Sequence, residues 1–187
     1  MFGALFACMG SRKSMHQDGK ALKSKDYMAY ITDSKNGLVV SCPDSFYIFN
    51  VTYMSPEVLA IKNIGIDSVN NINFQKQREV FENQTSFMIE IISKNNTSIT
   101  SDMFYYYSYQ IQNDVLLKSG NTLYKCISSQ YVHSYAMSLP SRLFLDFDAV
   151  QLEDDLLLEI KNNSTSKRSF AWVFKKSDLE RIPRLKI

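Results

Sequence analysis

Residues 45–54 read SFYIFNVTYM, which in extended form puts Tyr47, Phe49, Val51 and Tyr53 on one face and Phe46 and Ile48 on the other. A period of two with apolar residues on both faces describes a strand buried on both sides for at least half its length. That segment commits the chain to a sheet within a core. Further strand signals follow at SFMIEIIS (86–93), MFYYYSYQIQ (103–112), DVLLK (114–118), TLYKCISS (122–129), RLFLDFD (142–148), LLLEIK (156–161) and SFAWVFKK (169–176). Three hairpins connect strands. YMAYIT (27–32) turns through Ser34-Lys35-Asn36-Gly37 into LVVSC (38–42), DVLLK turns through Ser119-Gly120-Asn121, and the last two strands are joined by residues 162–167.

Helical signals are fewer. Ser55 as N-cap with Pro56 at the first helical position starts a helix that ends at Gly65. Asp67 caps a second helical segment running to about Phe81, and the tail after Lys176 forms a short helical turn. The expected class is α+β, a mostly antiparallel sheet of eight or nine strands with one or two helices. Residues 10–26 are polar, basic and aperiodic, so residues 1–26 read as a flexible arm and 27–187 as a single domain.

The 187-residue length suits one domain with a real core, and a hydrophobic share of 45% is too high for a disordered chain. No internal apolar run approaches the eighteen or so residues that span a bilayer. The apolar N-terminal run precedes the basic cluster instead of following it, which is the wrong order for an export signal. The Asn-x-Ser/Thr sites, such as Asn50 and Asn83, therefore carry little weight. Three cysteines, Cys8, Cys42 and Cys126, without CxxC spacing argue against a disulfide framework or a zinc site and for a reducing compartment such as the cytoplasm.

Charge is laid out unevenly. Arg12, Lys13, Lys20, Lys23 and Lys25 stand against Asp18 alone in residues 1–25. Lys167, Arg168, Lys175, Lys176, Arg181, Arg184 and Lys186 stand against Asp178 and Glu180 in residues 167–187, which leaves an acidic body between two basic ends. Such ends favour anionic surfaces, and the layout permits end-to-body self-association.

At the N-terminus, Phe2, Leu5, Phe6 and Met9 recur at helical spacing, so a short helix would gather them on one face. Nine residues with Gly3 and Gly10 do not hold a helix alone in water, but a membrane surface or a partner's groove would induce one. Apolar insertion beside Arg12, Lys13, Lys20, Lys23 and Lys25 supplies the two signals that reversible membrane anchoring takes. Cys8 stands where palmitoylation would add a third, whereas Phe2 excludes N-myristoylation. The alternative is that this segment frays or docks on the domain itself.

Other chemistry is sparse. Asp146 and Asp148 on one strand with Glu159 and Lys161 on the next resemble a Mg²⁺-dependent nuclease set, a pattern that outward-facing charges on two amphipathic strands also produce. Cys126 and His133 would have to be brought together to act as a nucleophile pair. The aromatics at Phe104–Tyr107 and Tyr109 suit base stacking, but no Lys or Arg lies between Lys94 and Lys118, so packing on both faces of a strand is the better reading. No phosphate-binding glycine loop is present, and no cofactor or catalytic residue is expected.

The basic arm at 12–25, the strand, Ser-Pro and helix order of FYIFNVTYMSPEVLAIKNIG (46–65) and the closing SFAWVFKKSDLERI (169–182) resemble the matrix proteins of rhabdoviruses, especially the short plant-infecting forms. The resemblance implies a non-enzymatic structural protein on the inner face of a virion and in host cytoplasm and membranes. Such a protein would bridge the viral nucleocapsid to an anionic membrane surface, self-associate as a homo-oligomer and drive virion assembly. Members from animal viruses often carry a PPxY or PTAP budding motif, which this chain lacks. The rival reading is a viral accessory protein, a silencing suppressor or movement-type factor, that binds RNA through the basic ends.

Overall fold

A computed structural model describes residues 6–9, 21–95, 97–134, 139–163 and 168–187. It is α+β, and its nine strands form one sheet. The strands are β1 (Phe6–Met9), β2 (Val39–Pro43), β3 (Tyr47–Met54), β4 (Gln84–Ser93), β5 (Val115–Ser119), β6 (Thr122–Val132), β7 (Ser141–Asp148), β8 (Leu156–Asn163) and β9 (Arg168–Phe174). Their order across the sheet is β1-β9-β8-β5-β6-β7-β4-β3-β2, antiparallel throughout except for β1, which runs parallel to β9. The long strand β6 turns the corner. Its first residues pair with β5 and its later ones with β7, and the register shifts between Cys126 and Ser128. A bulge of this kind bends and twists a strand, letting one strand serve two sheet halves.

The two halves close on a shared aromatic core. Phe49 of β3 meets Phe170 of β9 at 5.1 Å between ring centres, and Phe87 of β4 meets Phe174 of β9 at 5.2 Å and Phe147 of β7 at 6.0 Å. All five rings are buried. Tilted and edge-on rings at these distances contribute beyond the area they bury. Trp172 is wholly buried beside them, and its Nε1 has no hydrogen-bond partner among the described residues.

Helices α1 (Ser24–Thr32) and α2 (Pro56–Ile64) pack against β3, and Thr85–Ile89 of β4 are buried on both sides. Helix α2 (Pro56–Ile64) begins at Ser55, whose hydroxyl accepts from the Val58 amide, and ends at Gly65. Helix α3 (Asn71–Phe81) is capped by Asn70 and not by Asp67: a reciprocal box with Asn73 satisfies two amides at once, a stronger arrangement than a lone carboxylate three residues earlier. Ser55 also hydrogen-bonds the buried hydroxyl of Tyr27 at 3.0 Å. Ser55→Ala should therefore remove a cap, about 1 kcal/mol, and strand a buried phenol, about 1–3 kcal/mol, in urea unfolding. A loss below about 0.5 kcal/mol would contradict both roles.

Two segments expected as strands are helical, and the helices outnumber the expected one or two. Residues 27–32 lie in helix α1 (Ser24–Thr32), of which only Tyr27 and Ile31 are buried. Their spacing of four is a helical stripe, while the run of apolar side chains around them also fits a period of two. Residues 103–112 lie in a continuous helical stretch made of α4 (Ser101–Tyr105), a π-turn (Tyr106–Gln110) and α5 (Ile111–Asp114). Thr100 caps it by accepting from the Met103 amide. The wide π-turn keeps Met103, Tyr107 and Ile111, spaced by four, on the buried side. Aromatic content favoured a strand there, and tertiary packing overrides that preference. A last helix, α6 (Lys176–Leu179), follows β9 as expected. A single turn of 3₁₀-helix, Ser34–Asn36, leads into β2 through Gly37 at φ 73°.

Candidate anion-binding face

The two basic ends meet. Leu22 and Leu185 form a parallel bridge in which the Leu22 amide donates to the Arg184 carbonyl at 2.9 Å and the Lys186 amide donates to the Leu22 carbonyl at 2.7 Å. Both leucines pack against the core. The neighbours of these leucines, Lys23, Arg184 and Lys186, are all exposed. Lys23 and Lys186 occupy matching positions flanking the bridge, in chains that lie about 4.8 Å apart. Like charges placed side by side are destabilising unless an anion sits over them.

Local structure adds to that field. Lys23 is the N-cap of α1 and makes no side-chain capping bond. Caps are normally Ser, Thr, Asp or Asn, and a cation at a helix N-terminus opposes the helix dipole. A residue that breaks a local rule at an exposed position is a candidate for function. Nearby cations are partly compensated: Lys25 pairs with Asp67 at 3.0 Å, and Arg181 with Asp178 at 3.7 Å. Lys23, Arg184 and Lys186 have no ion-pair partner among the described residues. They form the uncompensated centre of the face.

Of the membrane-facing set expected from the sequence, Phe2, Leu5, Arg12, Lys13 and Lys20 lie outside the described residues. Phe6, Cys8 and Met9 fall on β1, in register with Phe170, Trp172 and Val173 of β9. This backbone is a strand on the sheet's edge and not a turn of amphipathic helix; nine residues with two glycines gain more from pairing with an existing strand than from an isolated helix. Lys23 and Lys25 sit at the start of α1, ahead of the expected domain boundary at Tyr27. Cys42, buried on β2, is disulfide-bonded, against the expectation from cysteine count and spacing.

The remaining constellations are not assembled. Strands β6 and β5 stand between β7, with Asp146 and Asp148, and β8, with Glu159 and Lys161. Three strand spacings are roughly 14 Å, too far for one Mg²⁺ site. Asp146 instead accepts from the Ser86 hydroxyl at 2.6 Å. No cluster of three or more His, Cys, Asp or Glu suited to a metal ion occurs among the described residues. Cys126 lies on β6 and His133 just past its end, seven residues on, roughly 23 Å along extended chain. The Cys126 thiol is pushed up to about 11 by burial, and the His133 ring contacts the Ser141 hydroxyl at 3.2 Å. The aromatic run divides by helical face, with Tyr106 and Tyr107 buried and Tyr105 and Tyr109 exposed.

No helix among the described residues is long and apolar enough to cross a membrane. The joining of residues 22 and 185 had no sequence signal, because a single bridge between distant segments leaves no periodic trace. No family model matches this chain. No curated protein matches it either. A crystal structure of a protein of unknown function from Burkholderia pseudomallei K96243 is similar over 87% of this chain and 94% of that one, with 10% identity and a TM-score of 0.46.

Proposed function

We propose that this is a non-enzymatic, matrix-type structural protein that docks on anionic membrane surfaces. The observation that supports it is the pairing of the two basic ends at Leu22 and Leu185, which brings together Lys23, Arg184 and Lys186, none of them in an ion pair among the described residues. Each basic residue near an anionic leaflet contributes about 1 kcal/mol. The arm residues 10–20 extend the same charge in sequence, and the acidic body offers a complementary surface to a second copy or to a basic segment of a nucleocapsid.

Lys23→Asp separates function from stability. It should supply the missing cap and stabilise the fold by about 0.5–2 kcal/mol, raising Tm by several degrees. It should also weaken flotation with phosphatidylserine liposomes. Unchanged flotation of the stabilised variant would remove the central residue of this reading. RNA binding through the same cations is the competing outcome, recognised by retention of RNA with a steep salt slope and no liposome flotation.

A further inference from the structure

Beside the Leu22–Leu185 bridge lies an open groove of about 580 Å³ between the start of α2, helix α3 and the C-terminal segment 182–187. That volume is within the range of small-molecule sites. Tyr27, Tyr53, Ser55, Arg78 and Arg184 are among the polar residues that line it, and Phe74, Pro183 and Leu185 are among its apolar lining.

Its hydrogen-bonding capacity is unevenly used. Arg78 donates to Glu57 at 2.8 Å, so the groove's one acidic side chain is already engaged. Tyr27 and Ser55 share one hydrogen bond at 3.0 Å, in which either is the donor. Two hydroxyl hydrogens serve that one bond, so one is left over. Ser55 meanwhile accepts from the Val58 amide, which uses a lone pair and no hydrogen. The Tyr53 backbone N–H donates to the Leu38 carbonyl at 2.9 Å, whereas its hydroxyl makes no hydrogen bond among the described residues; burial pushes that phenol up to about 12, with Glu57 adding to the effect. It stays a neutral donor at physiological pH. Arg184 has no ion-pair partner among the described residues. The N-terminus of α2 opens at the same place and adds its positive end.

Spare donors and an unpaired cation beside an apolar wall call for an acceptor-rich anion with an apolar body. We infer that this groove binds an amphiphile through its anionic head, phosphate or carboxylate, held by the Tyr53 hydroxyl, the spare Tyr27–Ser55 hydrogen and Arg184, with its apolar body against Phe74 and Pro183. The same chemistry is offered by a free short-chain amphiphile and by a lipid presented in a bilayer.

The test is calorimetric titration of the full chain with hexyl phosphate, hexanoate and, as uncharged control, 1-hexanol. The two anions should bind and hexanol should not. Tyr53→Phe, which removes one oxygen, and Arg184→Gln should each raise Kd about tenfold or more, as losing a hydrogen bond to a charged group does. Phosphatidylcholine vesicles with and without phosphatidic acid form the second arm. Weaker binding of Tyr53→Phe to the phosphatidic acid vesicles marks a bilayer lipid as a source, and an effect on hexyl phosphate alone marks a free amphiphile. Lys23→Glu with Lys186→Glu should weaken vesicle flotation and leave the hexyl phosphate Kd unchanged, which keeps this groove separable from membrane docking. Equal Kd for wild type and Tyr53→Phe, or no heat at millimolar hexyl phosphate, overturns the proposal.

Discussion

Reversing Lys23, Arg184 and Lys186 together to glutamate is expected to lower affinity for phosphatidylserine vesicles by at least about a hundredfold. Three basic residues at about 1 kcal/mol each amount to about 3 kcal/mol, and each 1.4 kcal/mol is tenfold; the new negative charges add repulsion to that loss. The fold should survive, because all three side chains are exposed and none is in an ion pair among the described residues. Circular dichroism and urea unfolding check that control. Binding by the wild-type chain should also fall as salt rises, since the Debye length shortens to about 8 Å at physiological ionic strength. A triple variant that floats like wild type would leave Lys23, Arg184 and Lys186 as an incidental cluster.

The largest expected effect on stability belongs to Phe87. Its ring is wholly buried and stands 5.2 Å from Phe174, 6.0 Å from Phe147 and 5.7 Å from Tyr53, so it joins the two halves of the curled sheet. Phe87→Ala should cost about 3–5 kcal/mol in urea unfolding through lost burial and the cavity left behind. Against a total stability of about 5–15 kcal/mol, that is enough to bring the chain close to unfolding. Ile72, 86% exposed on α3, supplies the contrast. Ile72→Ala should change stability by no more than about 0.5 kcal/mol. Similar costs at the two positions would mean that the aromatic layer is not where the sheet halves are held together.

What could be read from the sequence follows the physics of short-range signals. Strands with a clear period of two, such as RLFLDFD at 142–148, and helices with strong punctuation, such as Ser55-Pro56 and Gly65, stand where the residues place them. Ambiguity arose where every position was apolar or aromatic. YMAYIT and MFYYYSYQIQ satisfy both periods, and only the choice of buried positions, Tyr27 with Ile31 and Met103 with Tyr107, distinguishes a helix. The candidate face was half legible. The charges of each end are plain in the sequence, whereas their meeting is a tertiary fact carried by two backbone hydrogen bonds. The groove was not legible, since Tyr53, Arg78 and Arg184 come from a strand, a helix and a tail with no shared motif.

The Leu22–Leu185 bridge and the parallel pairing of β1 with β9 both join early residues to late ones. Contacts of such long sequence separation form slowly and late, because the loop they close is nearly the whole chain. During synthesis the early basic segment has no partner until β9 and the residues around 185 have emerged. The paired-lysine face thus comes into being as folding finishes, so a growing or truncated chain lacks it. If the proposed docking holds, assembly of the face would serve as a checkpoint: a surface that reads these side-by-side charges would engage molecules whose sheet has already closed.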